Sequence, residues 1–309
     1  MTAPSLARTL VLLTAVISGV SVFVNYYAIQ GTNSDAFLTV RNATVAIFLL
    51  ALIPLGRRLT LPRRDWGRLL LVGLIGGAIP FLLFFRGLQL AGQAGAASAS
   101  FGYRTLFLMA AVIGVVALGE RLSLRYAAAA GLILAGNVLL LSLTAPVWSD
   151  GTALVLLATG LWAGEYALSK RLLRDLDGWT VALGRMGFGA VFLLGFLLAT
   201  GQIGGLGALT AAHWGWVLIS ALLLTAFVAT WYGGLKEVDL SRASLVLALA
   251  FPITWVLSVA VGRTPLGLPQ AAGAAAVAFG VALGVGLTTL RGMWDAVLQR
   301  LRATAGARG

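Results

Sequence analysis

Cysteine is absent from this 309-residue chain, histidine occurs once, and acidic residues number only 10. Without cysteine there is no disulfide framework, no thiolate nucleophile and no thiolate metal site. The lone His213 rules out a His-x-x-x-His zinc pair and a Ser/His/Asp set, and no apolar segment carries paired carboxylates. Gly201 to Gly207 neither follows a strand nor opens a βαβ unit, so it matches neither the dinucleotide nor the P-loop pattern. A membrane-embedded transferase or hydrolase therefore has almost no chemistry to draw on, and no metal or cofactor is expected. Charge of either sign is scarce at 10%, against 60% hydrophobic residues and a mean hydropathy of +0.96. That balance leaves too little polar surface for a soluble globule and indicates an integral membrane protein.

The apolar residues come in ten blocks of membrane-spanning length, roughly 9–29, 35–55, 68–90, 94–117, 124–143, 151–171, 178–200, 212–234, 241–262 and 268–290. The first is longer than a signal-peptide core and no A-x-A-like site closes it, so it is expected to remain as a span. Of the 22 Lys and Arg, 17 fall at the termini or in alternate loops, on one side of this threading: Arg8, the Arg57–Arg68 cluster, Arg121, Arg125, Lys170, Arg171, Arg174, Lys236, Arg242 and the tail. Only Arg263 falls in a loop on the other side, and Arg41, Arg86, Arg104 and Arg185 lie inside apolar blocks. Cytoplasmic loops retain Lys and Arg during insertion, so both termini are expected in the cytoplasm. The same sorting explains the +12 net charge, and no basic run carries aromatics spaced for base stacking, so nucleic acid is not an expected partner. The bias to Arg over Lys and to Ala and Gly suggests a GC-rich bacterium and hence its inner membrane.

The two halves echo each other in order. Val22-Phe23-Val24-Asn25-Tyr26 closes block 1 as Trp162-Ala163-Gly164-Glu165-Tyr166 lies in block 6; Arg41 opens block 2 as Arg185 opens block 7; and Phe84-Phe85-Arg86-Gly87-Leu88 of block 3 answers Trp231-Tyr232-Gly233-Gly234-Leu235 of block 8. Five spans per half is an odd number, so the second half enters from the opposite face and the repeats are inverted. The expected fold is all-α: residues 1–146 form the first five-helix repeat, 147–290 the second, and 291–309 a cytoplasmic amphipathic tail. Such repeats recur in secondary transporters, where related halves exchange conformations around a central site. With Gly119-Glu120-Arg121-Leu122-Ser123 after block 4 and a glycine-rich block 5, this set resembles the EamA-type drug/metabolite transporters over nearly the whole chain. The resemblance implies a bundle that exports small organic molecules, with amino acids, metabolites and lipophilic drugs among the family's substrates. The chain departs from the pattern at Arg263, which replaces the acidic residue of the second-half motif, at Val22 in place of Trp, and in block 4, which lacks the usual Pro while Pro252 is kept in block 9.

A charge inside lipid costs at least about 2.5 kcal/mol, so each ionisable group within a block must face the bundle interior, water or headgroups. Arg41 and Arg185, about seven residues inside their blocks, are close enough to the interface to snorkel, which favours anchoring; Arg86 is similar. Arg104 lies deeper and suits a cavity. Glu165, the only carboxylate well inside a block, could bind an ammonium, carry a coupling proton or pair with an Arg. Aromatic belts normally collect at interfaces, so Tyr103, Trp162, Phe251 and Trp255 near mid-depth, with Tyr26, Tyr166 and Trp231 close by, are expected to wall a chamber. Asn25, Arg104 and Glu165 would orient the solute, and Pro80 and Pro252 are candidate gating kinks. Gly160-x-x-x-Gly164 and Gly280-x-x-x-Gly284 are read as close packing within one chain, in keeping with a monomer. The expected partners are the bilayer and a small solute: an amino acid with an aromatic or large apolar side chain, exported by alternating access. A drug or organic cation, or a nucleotide-sugar or phosphate ester, are the alternatives.

Overall fold

The computed structural model describes residues 3–29, 32–52, 63–146 and 148–286. The expected tail helix, together with Arg57 and Arg58, lies outside them. The described residues are helical throughout, with no strand. Nine helices are long and apolar enough to cross a bilayer, and a shorter apolar one completes ten. They are α1 Ala3–Ala28, α2 Ser34–Ala51, α3 Arg63–Gly92, α4 Gly95–Leu118, α5 Leu124–Leu140, α6 Asp150–Leu172, α7 Gly178–Ala199, α8 Ala211–Leu235, α9 Leu240–Ala260 and α10 Leu268–Val285. Side-chain caps begin several of them, each accepting one or two of the otherwise unpaired first-turn N–H groups: Asn33 for α2, Ser123 for α5, Ser149 for α6 and Asp177 for α7. His213 joins Thr210 in a capping box at the start of α8, a structural use of the only histidine.

The packing keeps its pattern when the halves are exchanged. α6 packs on α3 and α4, as α1 packs on α8 and α9; α2 pairs with α7, α5 with α10, and α4 with α9. Each pairing maps onto itself or onto another when five is added to or subtracted from the helix numbers, which is the signature of two repeats around a pseudo-two-fold axis. α5 and α10 stand apart as a scaffold. A Cβ on Gly136 would lie 2.7 Å from the Gly273 carbonyl oxygen and one on Gly280 2.7 Å from Ile133, so these backbones approach as only glycine permits. The Gly280 and Gly284 seam is thus close packing within the chain. The expectation for Gly160 and Gly164 is not met: a Cβ on either would meet nothing within 4 Å.

Three helices are interrupted. α4 breaks at Thr105 and α9 between Leu247 and Ala250, equivalent places in the two halves. Pro252 accounts for the second break, since it cannot donate to Ala248, whose carbonyl accepts the Phe251 N–H instead. α4 breaks without proline; Thr105 Oγ1 there donates to the Gly102 carbonyl. In α3 the turn Gly73–Ala78 is a π-helix, with the Ile79 N–H reaching back to Leu74. Pro80 lies just beyond it, and the carbonyl it cannot serve is that of Gly76.

Candidate functional site

A cavity of about 400 Å³ lies between the repeats, walled by α1 to α4 and α6 to α9 and by Arg263 after α9. Its rim lies at the end of the bundle away from the N-terminus, where Tyr26 is 47% exposed and Arg263 is also exposed. The floor lies at the two broken helices. There a second void of about 20 Å³, room for a single water, is lined by Ser18, Arg104, Phe107, Ser244 and Phe251.

Of the expected chamber residues, Asn25, Tyr26, Tyr103, Arg104, Trp162, Tyr166 and Phe251 do line the cavity. Tyr103 is the hub, with ring centroids 5.1 Å from Phe84, 5.7 Å from Trp162 and 5.9 Å from Phe251, all edge-to-face. Phe81 extends the cluster at 5.2 Å from Trp162. Such pairs hold one another rigidly and leave an apolar, ring-lined space. Asn25 is fixed by the Ser220 hydroxyl, which donates to its Oδ1 at 2.6 Å, while its Nδ2 donates to Ser21.

Three expected residues are elsewhere. Glu165 is fully buried behind the wall, 3.3 Å from Arg185 Nη1, and its Oε1 accepts from the Tyr232 hydroxyl at 2.7 Å and the Ser169 hydroxyl at 2.5 Å. It turns away because its own helix presents Trp162 and Tyr166, four residues apart, to the cavity, and Glu165, next to Tyr166, falls about 100° round the helix axis. Trp231 is also fully buried behind Tyr166, the ring centroids 4.6 Å apart and the planes tilted by 49°. Trp255 faces the core cluster instead, since the rotation of α9 gives the wall to Phe251 and Thr254.

The arginines reverse the snorkelling expectation. Arg41 and Arg185 are 4% and 3% exposed, and both line the cavity. The π-turn is what receives them. The freed Gly76 carbonyl accepts from Arg185 Nε and from Trp162 Nε1, each at 3.2 Å, and the Gly77 carbonyl accepts from Asn42, whose Oδ1 in turn accepts from Arg41 Nε and Nη2. A side chain at Gly76 would press on Glu165, at 2.5 Å. The sequence signal was present: two glycines, a π-capable turn and a proline four residues after Gly76. Arg86, by contrast, is exposed at its helix end as expected.

At the opposite end the halves are bolted together. The Asp239 side chain makes no capping bond to α9; instead Glu120 reaches across from the first repeat, Oε1 accepting the Leu240 N–H at 2.6 Å and Oε2 the Ser241 N–H at 2.9 Å. The Tyr126 hydroxyl donates to the Ser241 carbonyl at 3.3 Å. Within the second repeat, Lys170 donates to the carbonyls of Leu235, Lys236 and Val238 at the end of α8. At the rim, Arg263 occupies the position equivalent to the acidic residue and can accept nothing. Its guanidinium lies instead 3.9 Å over the Tyr26 ring, and that end stands open.

Ten apolar helices in two exchange-symmetric halves, with a cavity between them open at one end, make a multi-pass membrane transporter. The chain belongs to the EamA-like transporter family, whose sequence pattern matches residues 6–142 and again 150–285. Over 134 residues it is 29% identical to the Uncharacterized transporter YyaM of Bacillus subtilis (strain 168), an alignment covering 43% of this chain and 44% of that relative, less than half of its length. A solved crystal structure at 21% identity superposes with a TM-score of 0.72, covering 91% of this chain and 98% of the other, and shows the fold alone.

Proposed function

We propose that the cavity is the solute chamber of a secondary transporter that exports small organic molecules by alternating access. In this reading it sits in a bacterial inner membrane with both termini in the cytoplasm and works as a monomer. One observation carries it: the cavity is open at one end and, at the other, closed by polar contacts that cross between the repeats, Glu120 to α9 foremost. Contacts of that kind can be exchanged for their counterparts without unfolding either half. Pro80 and Pro252 are the proposed hinges, because each leaves a helix with carbonyls that have already found other donors.

Amino acids with aromatic or large apolar side chains suit the ring-lined wall, with a carboxylate within reach of Arg104 or Arg41. Purified protein in liposomes is expected to move such amino acids, faster with a pH gradient if a proton is the coupling ion. A second reading, a phosphate-ester carrier, draws on the same arginines. Uptake of nucleotide sugars with no amino-acid flux would favour it over the first.

A further inference from the structure

Four arginines face the cavity, Arg41, Arg104, Arg185 and Arg263, and among the described residues no aspartate or glutamate does. Only Arg185 is neutralised, by Glu165 behind it. Arg41 and Arg104 donate to the amide oxygens of Asn42 and Asn137, and neither they nor Arg263 form an ion pair among the described residues. An amide satisfies donors but cancels no charge, so three formal positive charges border one largely apolar space. Buried charge of one sign calls for a counter-charge. Three of the ring faces are also taken: Arg41 lies 4.9 Å over Phe81, Arg104 4.7 Å over Phe251 and Arg263 3.9 Å over Tyr26. A cationic solute would find those faces covered by guanidinium groups and, on the remaining rings, would lie in a space bordered by like charge.

The geometry points to an organic anion with an aromatic or large apolar body as the solute, its carboxylate read by Arg104 and Arg41. An α-ammonium has no carboxylate to meet on this wall, and the Asn25 oxygen is already held by Ser220. An amino acid is then accepted through its carboxylate alone, and its amino group is dispensable. This inference rests on reading the cavity as the solute chamber.

Three probes share one ring and differ only in their charged ends: 3-phenylpropanoate, L-phenylalanine and 2-phenylethylamine. Calorimetric binding to the purified full chain in nanodiscs is expected to rank them in that order, with the anion at least about tenfold tighter than the amine. Arg104→Gln and Arg41→Gln should each weaken the anion roughly tenfold or more. Arg263→Gln, at the exposed rim where folding is not at stake, should slow anion uptake into proteoliposomes. Amine binding equal to or tighter than anion binding overturns the inference, as does unchanged anion binding in Arg104→Gln and Arg41→Gln together with unchanged anion uptake in Arg263→Gln. Anion binding without flux of any probe upholds the charge selectivity and removes the transport reading; flux of the amine in place of the anion removes the selectivity and leaves transport standing.

Discussion

Arg185 and Glu165 illustrate how a pair of charges is kept inside a membrane bundle. Glu165 sits behind the wall, Arg185 shows on it, and the Tyr232 hydroxyl bridges them, donating to the carboxylate at 2.7 Å while accepting from Arg185 at 3.3 Å. Removing one partner of a buried pair leaves the other uncompensated, typically at about 3–5 kcal/mol, whereas removing both costs far less. Glu165→Ala is therefore expected to lower the thermal midpoint strongly, and adding Arg185→Met to recover much of the loss. Purely additive effects in that double-mutant cycle would show that the two side chains do not act as a unit. The same pair marks what residue counting along a helix can and cannot read. Depth follows from position in the sequence, and Tyr103, Trp162 and Phe251, expected near mid-depth, line the cavity. Rotation about the helix axis does not follow from it in a helix that is apolar all round, so Glu165, Trp231 and Trp255 were expected on a wall from which they turn away. Phe81, Phe84 and Phe227 were missed for the complementary reason, that a phenylalanine in an apolar helix reads the same whether it faces lipid or cavity.

Helices, too, carry functions beyond spanning. The π-turn of α3 converts a proline's missing hydrogen bond into an acceptor for Arg185 and Trp162. In Pro80→Ala the restored N–H competes for the Gly76 carbonyl, recovering part of the roughly 3 kcal/mol that an interior proline costs a helix. Thermal stability is expected to rise while solute flux falls; flux unchanged alongside higher stability would detach the π-turn from the site. Along α5 and α10, Gly136→Ala forces a Cβ onto the Gly273 carbonyl and should cost about 1–3 kcal/mol, while Gly160→Ala on α6 meets open space and should cost little. Thermal unfolding of the two variants side by side checks this, and equal losses would contradict it. The ten spans themselves were legible because lipid demands apolar length and the sorting of Lys and Arg fixes alternation. The breaks were only half legible: Pro252 announces the one in α9, but the equivalent break in α4 has no proline, and the close approach of its neighbours is a tertiary effect.

Across the whole molecule, the closed end and the open end carry opposite charges at one pair of equivalent positions, Glu120 against Arg263. Glu120 supplies two charge-assisted bonds to the start of α9; among the described residues Arg263 makes no such bond, its guanidinium lying over the Tyr26 ring instead. Bonds of that kind are worth about 1.5–3 kcal/mol each. Losing even about 1.4 kcal/mol shifts a two-state equilibrium tenfold toward the conformer open at the Glu120 end. Because the chain contains no cysteine, a single introduced thiol reports accessibility without background. Ser21→Cys, on the cavity wall, treated with a membrane-impermeant maleimide in oriented vesicles, is the most direct measurement. Labelling is expected from both faces, slower from the Glu120 side and about tenfold faster there once Glu120→Ala is added. Labelling from one face only, with Glu120 intact and with it replaced, would mean that the cavity does not alternate between the two sides.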